Sequence, residues 1–576
     1  MSEQKTKELP YGVSDFKTIR EQNLYFVDKS QYIVSIEKQP RFLLLIRPRR
    51  FGKSLFLSML TAYYDASECE NFDRLFGDLW IGQHPTPLHN SFQVLNLDFS
   101  MVSGNIDNLK DSFEEHCNIQ LWDFMQRYSH CYSESFRNEY ASVKSALGRI
   151  AMLAIEAKRQ RYHLFLIIDE YDNFTNIVLN EQGKGRYHDL THASGFYRDA
   201  FKRFKGTFER VLMMGVSPVT VDDLSSGYNI STNISTLPEF NAMLGFTETE
   251  VRTMVDYYKA AGAIKAETSD LMAEMKPWYD NYCFSRKSYE LHDDKMFNSD
   301  MVLYYLHSYI INQDYPESML DANTRTDYAK MKRLVNLGTL DNDHKTIISE
   351  IAMGKPILTD VALSFPAEQI PMNDKFPSLL FYYGMLTITG VSGSRVVLGI
   401  PNNNVRKQYY EYILDNYQSE NPVSVNELAD GFDDMAIRGD ARPALEFIAK
   451  AYKHQSSVRN AIEGERGIQN YLMAYLGLCN YYLTSPEMEL NHGYCDFFLM
   501  PRLSVYKMVA HSYIIELKYL SAKDFDARHE AQWAEAVEQI HRYADSPRVT
   551  ELSHATKLHL IVMQYRAWDM VRMEEV

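Results

Sequence analysis

A strand-like run that leads directly into a phosphate-type turn and then a helix fixes most of what the start of this chain can become. Arg41-Phe-Leu-Leu-Leu-Ile46 is short and continuously apolar, the pattern of a strand covered on both faces. Arg47-Pro-Arg-Arg-Phe-Gly52-Lys53-Ser54 follows, and Ser54 to Tyr64 reads as a helix. The turn ends in G-K-[ST], although the full phosphate-loop pattern has Gly where Arg47 stands. Such a turn aims backbone N–H groups and a helix N-terminus at one point, which suits an anion. Arg49, Arg50, Phe51, Gly52, Lys53 and Ser54 are therefore the candidate phosphate contacts. Lys53 would reach the β- and γ-phosphates, and Ser54 would ligate Mg²⁺.

A second element sharpens this expectation. Leu164-Phe-Leu-Ile-Ile168 is an apolar strand that ends in Asp169-Glu170. Asp169 is the candidate Mg²⁺ ligand and Glu170 the group that polarises the attacking water. A third strand end, Gly215-Val-Ser217-Pro-Val-Thr220, offers the Ser217 hydroxyl as a γ-phosphate sensor. Further strands are expected at Phe92–Phe99 and Arg210–Gly215, with an amphipathic helix at Val143–Arg161. Strands separated by helices predict a mainly parallel sheet flanked by helices.

Length and charge bound the rest. The 576 residues suggest about three to four domains. A net charge of −16 excludes a uniformly basic nucleic-acid coat, so any such contact must be a local patch. Six cysteines without a CxxC pair imply neither a disulfide framework nor a zinc ribbon, and point to a reducing cytoplasmic setting. The polar start lacks a signal-peptide core. Ser378–Val391, the longest largely apolar stretch, is too short to span a bilayer.

The chain divides into stretches at about 1–240, 241–330, 331–455 and 456–576. The second is mostly helical, with Thr247 and Glu250 forming a capping-box signal. The third carries a hairpin, Met385–Thr389 with Arg395–Leu398, joined through Gly390-Val-Ser-Gly-Ser. In the fourth, Arg466–Tyr482 and Glu530–Tyr543 read as helices and Tyr494–Met500 and Tyr513–Leu517 as strands. Glu516 and Lys518, two apart on a strand, share a face, and Asp496 heads the neighbouring strand. Asp496 and Glu516 are candidate Mg²⁺ ligands, and Lys518 would orient a nucleophile or offset charge in phosphodiester cleavage. Glu465, Glu487, Glu489, Gln539 and Tyr543 are potential neighbours.

At these residues the chain resembles bacterial AAA-ATPase-like proteins that carry a C-terminal PD-(D/E)XK nuclease-superfamily domain. The N-terminal likeness rests on Leu9–Phe16, Tyr25–Lys29, Arg47–Ser54 and Ile168–Asp172, and continues through Thr236–Val251 and Lys276–Tyr282. Arg47 in place of Gly is a trait of that family. Asn281 and Ser299 depart from its usual Gly and Pro, and Tyr494 stands where it often has Arg. The C-terminal likeness rests on Glu465, Gly493, Asp496, Glu516, Lys518, Gln539 and Tyr543.

The resemblance implies an α/β multidomain protein: an N-terminal P-loop NTPase, a helical lid, a winged-helix-like connector at Phe376–Val405, and a restriction-endonuclease-like C-terminal domain. It places Tyr25–Lys29 near the nucleotide base. It implies ATP and Mg²⁺ as cofactors and nucleic acid, DNA first, as partner, with no membrane role and homo-oligomerisation left open. The implied activity is an ATPase that regulates a Mg²⁺-dependent nuclease. The alternative is an NTP-dependent switch whose nuclease-like fold is a non-catalytic platform binding nucleic acid or a protein.

Overall fold

Four apolar runs and a short edge segment form the first sheet of this computed structural model. The structure describes residues 6–102, 108–173, 196–220, 231–321, 343–352, 354–366, 369–370, 372–418, 425–454, 464–490, 493–503, 505–553 and 555–576. The strands of this first sheet are β1 (Phe42–Ile46), β2 (Gln93–Asp98), β3 (Leu164–Asp169), β4 (Arg210–Gly215) and β6 (Thr232–Asn233), while β5 (Val219–Thr220) lies outside it. The order is β2-β3-β4-β1-β6, and every pairing is parallel. Parallel strands need crossovers, and helices such as Lys53–Tyr64, Leu109–Arg127, Ala146–Gln160 and Phe196–Thr207 supply them. All C-terminal strand ends therefore lie at one edge, where ligands of open α/β sheets bind. Inserting β4 between β1 and β3 brings Gly215 level with Ile46 and Met213 level with Ile168.

The expected mostly helical run after 241 contains helices Glu248–Ala260, Thr268–Tyr279, Arg286–Glu290 and Ser299–Asn312. The capping box forms: Thr247 N donates to Glu250 Oε2 at 2.8 Å, and Glu250 N to Thr247 Oγ1 at 3.2 Å. Next come β7 (Ile357–Thr359), β8 (Phe365–Pro366), β9 (Thr387–Ser392) and β10 (Arg395–Gly399). β8 pairs with β5, and β7-β10-β9 is an antiparallel sheet. The hairpin turn is shorter than expected. Gly390 to Ser392 belong to β9, leaving only Gly393 and Ser394 between Ser392 and Arg395. Gly393 has φ +60°, as a tight two-residue hairpin requires.

The last sheet is β11 (Tyr482–Leu490), β12 (Gly493–Pro501), β13 (His511–Leu520), β14 (Lys557–Arg566) and β15 (Asp569–Glu575), hydrogen-bonded in sequence order. Only β13 and β14 are parallel, with helix Phe525–Ala544 between them in the chain. Trp533, Ala536, Ile540 and Tyr543 of that helix close over Phe498, Ile514 and Val562. The expected helix to Tyr482 stops at Leu476, because Tyr482 opens β11. Pro486 is tolerated there because β11 is an edge strand.

Backbone packing gathers the chain into two compact units. One takes in the residues up to Asp314 together with Ile357–Pro401, and the other takes in Asn402–Val576 with helix Asp343–Ala352. The boundaries expected at 330/331 and 455/456 fall outside the described residues. No helix among the described residues is long and apolar enough to cross a membrane.

Candidate functional site

The first candidate centre lies at the C-terminal edge of the parallel sheet. Gly52 adopts φ +86° as the N-cap of helix Lys53–Tyr64, and Arg50 has φ +68°. This left-handed backbone turns the chain sharply from β1 into the helix. Lys53 is buried, and its Nζ donates to the Arg47 carbonyl at 3.1 Å and the Pro48 carbonyl at 2.9 Å. Burial lowers its pKa, with Asp169, Glu170 and Asp172 opposing the shift. Ser54 Oγ donates to Asp169 Oδ2 at 2.5 Å, so the two expected Mg²⁺ ligands are adjacent. Burial raises the Asp169 pKa, offset by Ser54 and Lys53. A paired hydroxyl and carboxylate beside a buried lysine is a donor set that fits Mg²⁺ with a polyphosphate. Glu170, with φ +48°, donates its backbone N–H to Asp169 Oδ1 at 2.9 Å.

Two loop residues turn away from that edge. Arg47 is fully buried and donates to the Ile46, Ser235 and Phe240 carbonyls at 3.0, 2.6 and 2.8 Å. Its guanidinium lies 4.2 Å from the Phe284 ring centroid, and burial lowers its pKa to about 9. Phe51 packs edge-on against Tyr282 and Phe284, with centroids at 4.9 and 5.4 Å. Arg50 faces Asp300 at 3.8 Å, and the Ser299 hydroxyl donates to the Arg50 carbonyl at 3.1 Å. Asn298 donates to the Arg49 carbonyl at 3.5 Å. Lys29 pairs with Glu250 at 2.6 Å, and Tyr25 packs against Tyr257 and Tyr258, which ties Tyr25–Lys29 to helix Glu248–Ala260.

Ser217 sits behind the acidic turn in a network that sequence reasoning missed. Asp172 is buried and accepts from Val216 N at 3.2 Å and Ser217 N at 2.9 Å. Tyr171 Oη donates to the Ser217 carbonyl at 2.5 Å. Asp172 is only two residues past Glu170, so the acidic D-E-Y-D run was its signal.

The second candidate centre lies on β12 and β13. Their register pairs Phe497 with Ile515 and Phe498 with Ile514. The backbone pairing stops there, and Asp496 Oδ2 accepts from Leu517 N at 2.6 Å in place of a backbone carbonyl. Asp496 Oδ1 accepts from Gln469 Nε2 at 2.5 Å. Lys518 Nζ donates to Glu516 Oε1 at 2.8 Å and to Gln539 Oε1 at 2.9 Å. Glu516 is buried, and its Oε2 has no hydrogen-bond partner. Burial and then Glu516 push the Asp496 pKa up to about 8, although the residue keeps some exposure. Burial also raises Glu516, opposed by Lys518. Burial works to lower Lys518, but Glu516 and Asp496 hold it above its usual value. Glu465 is raised by burial against the pull of Lys518, and Tyr543 by burial and Glu516.

The expected trio is thus brought together, with Glu465, Gln539 and Tyr543 around it. Gln469 was missed, though it stands four residues after Glu465 on the same helix face. The side chains of Glu487, Glu489 and Tyr494 lie outside the described residues. Among the described residues no three His, Cys, Asp or Glu side chains form a metal cage. Two carboxylates, one with an unpartnered buried oxygen, suit Mg²⁺, which usually keeps several waters.

Two family models match stretches of this chain. Residues 10–225 match the family described as predicted AAA-ATPase, and residues 463–575 match the PD-(D/E)XK nuclease superfamily. An "Uncharacterized protein in vnfD 5'region" of Azotobacter chroococcum mcd 1 is 25% identical over 464 residues, or 77% of each chain. The structure of the Aeropyrum pernix ORC2 protein (ADPNP-ADP complexes) is 11% identical, covering 72% of this chain and 97% of that one. Its TM-score of 0.24 is too low to bear on the fold.

Proposed function

We propose that this chain, an AAA-ATPase-like domain joined to a PD-(D/E)XK nuclease-superfamily domain, is an ATP-regulated, Mg²⁺-dependent nuclease acting on DNA. At the first centre Lys53 binds the β- and γ-phosphates, and Ser54 and Asp169 hold Mg²⁺. Glu170 orients the attacking water, and Ser217 stands beside the γ-phosphate. Loop amides from Arg49 to Gly52 cradle the phosphates. At the second centre Asp496 and Glu516 hold Mg²⁺, while Lys518, steered by Gln539, faces the nucleophile. Mg²⁺, when bound, lowers the pKa of its water and offsets charge on the leaving oxygen. In this reading 1–240 is the ATPase core, 241–330 a lid, 331–455 a connector and 456–576 the nuclease.

One observation carries the nuclease half. Glu516 Oε2 is buried without a partner beside Asp496 and Lys518. An unpartnered buried carboxylate oxygen is costly, and a cation is the group that would satisfy it. The test incubates DNA with Mg²⁺, with and without ATP. Wild type should cut, and Asp496→Ala should lose cutting while still binding ATP. Equal cutting by the mutant would remove the site assignment. Salt-dependent DNA binding without cutting, in any nucleotide state, would favour the non-catalytic platform.

A further inference from the structure

Gln469 is a buried amide in the second turn of helix Glu465–Leu476, among buried Ile468, Tyr471 and Leu472. An amide in such a place costs free energy unless it is hydrogen-bonded. Its Nε2 donates to Asp496 Oδ1 at 2.5 Å, across 27 residues of chain. Leu517 N holds the other oxygen, Oδ2, at 2.6 Å. Asp496 is thus gripped at both oxygens, by a side chain from the helix and by the backbone of β13. On Glu516, Lys518 Nζ takes Oε1 at 2.8 Å, and Oε2 has no partner. Three of the four carboxylate oxygens at this centre therefore already accept from the protein.

That pattern bears on which cation fits. Ca²⁺ takes about six to eight oxygens at roughly 2.3–2.6 Å, often both oxygens of one carboxylate. Mg²⁺ demands an octahedron at about 2.0–2.1 Å, usually with one or two carboxylates and several waters. A carboxylate must turn freely to offer both of its oxygens to one ion. Two carboxylates pinned by protein donors offer one oxygen apiece to a small ion and deny a larger one its extra ligands. Leu517 acts through its backbone, and Lys518 faces the nucleophile in the proposed mechanism. Gln469 is the member of this set whose side chain touches neither the metal nor the reacting atoms.

We infer that Gln469 is a positioning residue that fixes Asp496 as a one-oxygen ligand and so makes the second centre select Mg²⁺ over Ca²⁺. The inference rests on the Mg²⁺ reading of that centre proposed above. Hydrogen-bond partners that hold a metal ligand from behind typically set metal affinity by about 10- to 100-fold.

The test titrates Mg²⁺ and, separately, Ca²⁺ into the full chain by calorimetry, without nucleotide. Asp496→Ala serves as the blank that isolates the heat of the second centre. Wild type should bind Mg²⁺ more tightly than Ca²⁺. Gln469→Met keeps the side-chain length and removes the donor. It should weaken Mg²⁺ by about 10-fold or more and change Ca²⁺ by less than about threefold. A melting scan of the metal-free protein reads loss of packing, which by itself would weaken both ions alike. Gln469→Glu keeps the shape but has no proton to donate when ionised, and should move the preference toward Ca²⁺ in the same direction. It reads the same point should the methionine variant fail to fold. An unchanged Mg²⁺-to-Ca²⁺ ratio in the folded variants, or equal weakening of both ions, would overturn the inference. So would a wild type that binds both ions equally well, which would leave the metal reading standing. A wild type whose Mg²⁺ heat matches that of Asp496→Ala would sink the metal reading itself.

Discussion

Arg47 occupies a position where the phosphate-loop pattern has Gly, yet its side chain is a strut beneath the loop. It ties the end of β1 to the Ser235 and Phe240 carbonyls. Arg47→Gly would restore the common motif and orphan those carbonyls. We expect it to cost about 2–4 kcal/mol in denaturant unfolding without tightening ATP binding. Asp496 makes the opposite kind of prediction. Its metal-free folded pKa of about 8 exceeds the reference 3.8, so the folded state holds the proton more tightly. Ionising it costs stability, and that cost builds as pH rises from about 4 to about 8. In EDTA, Asp496→Asn should therefore melt above wild type at pH 8, by roughly 2–4 °C for about 1 kcal/mol, and the gap should shrink toward pH 4. Added Mg²⁺ should reverse the order, because only wild type keeps both carboxylates.

Two elements carry most of the positioning. β4 lies between β1 and β3, so its end meets both the phosphate loop and the acidic turn. Arg47 N donates to the Gly215 carbonyl at 3.1 Å, and Tyr171 N to the Met214 carbonyl at 3.2 Å. A Cβ on Gly215 would fall 2.3 Å from Asp172 Oδ1 and 2.5 Å from the Tyr171 ring. Gly215→Ala should cost about 1–3 kcal/mol and depress ATP turnover, as a melting scan and phosphate-release assay would register. On the second sheet, backbone pairing ends after Phe497 and Ile515, which leaves Leu517 N to the Asp496 carboxylate and sets that carboxylate beside Glu516 and Lys518.

The two centres belong to different compact units, each with its own sheet. Each centre is built from side chains of its own unit, so truncating a residue at one leaves the residues of the other in place. Asp496→Ala should keep ATP turnover within about twofold, measured by phosphate release. Lys53→Ala should lose ATP binding but retain Mg²⁺ binding at the second centre, measured by calorimetry. Any effect of ATP on cutting should vanish in Lys53→Ala, since communication must start from an occupied loop.

The sequence by itself determined which residues stand together locally at each candidate centre. Strand, G-K-S and helix are contiguous; Asp169-Glu170 directly ends an apolar run; Glu516 and Lys518 share a face through the two-residue period of a strand. The β9–β10 hairpin and the capping box were legible for the same reason, since each is written in neighbouring residues. Tertiary structure alone decided which distant groups meet these residues. Gln469 on Asp496, Asp172 under Ser217 and Arg47 turned inward all depend on strand order and packing across tens to hundreds of residues. β11 was hidden by Pro486, which only an edge position permits, and β14 and β15 were left unassigned, although Leu558–Tyr565 carries an apolar run. Local chemistry needs only adjacent side chains, whereas a working site needs a register, and a register is fixed by the fold as a whole.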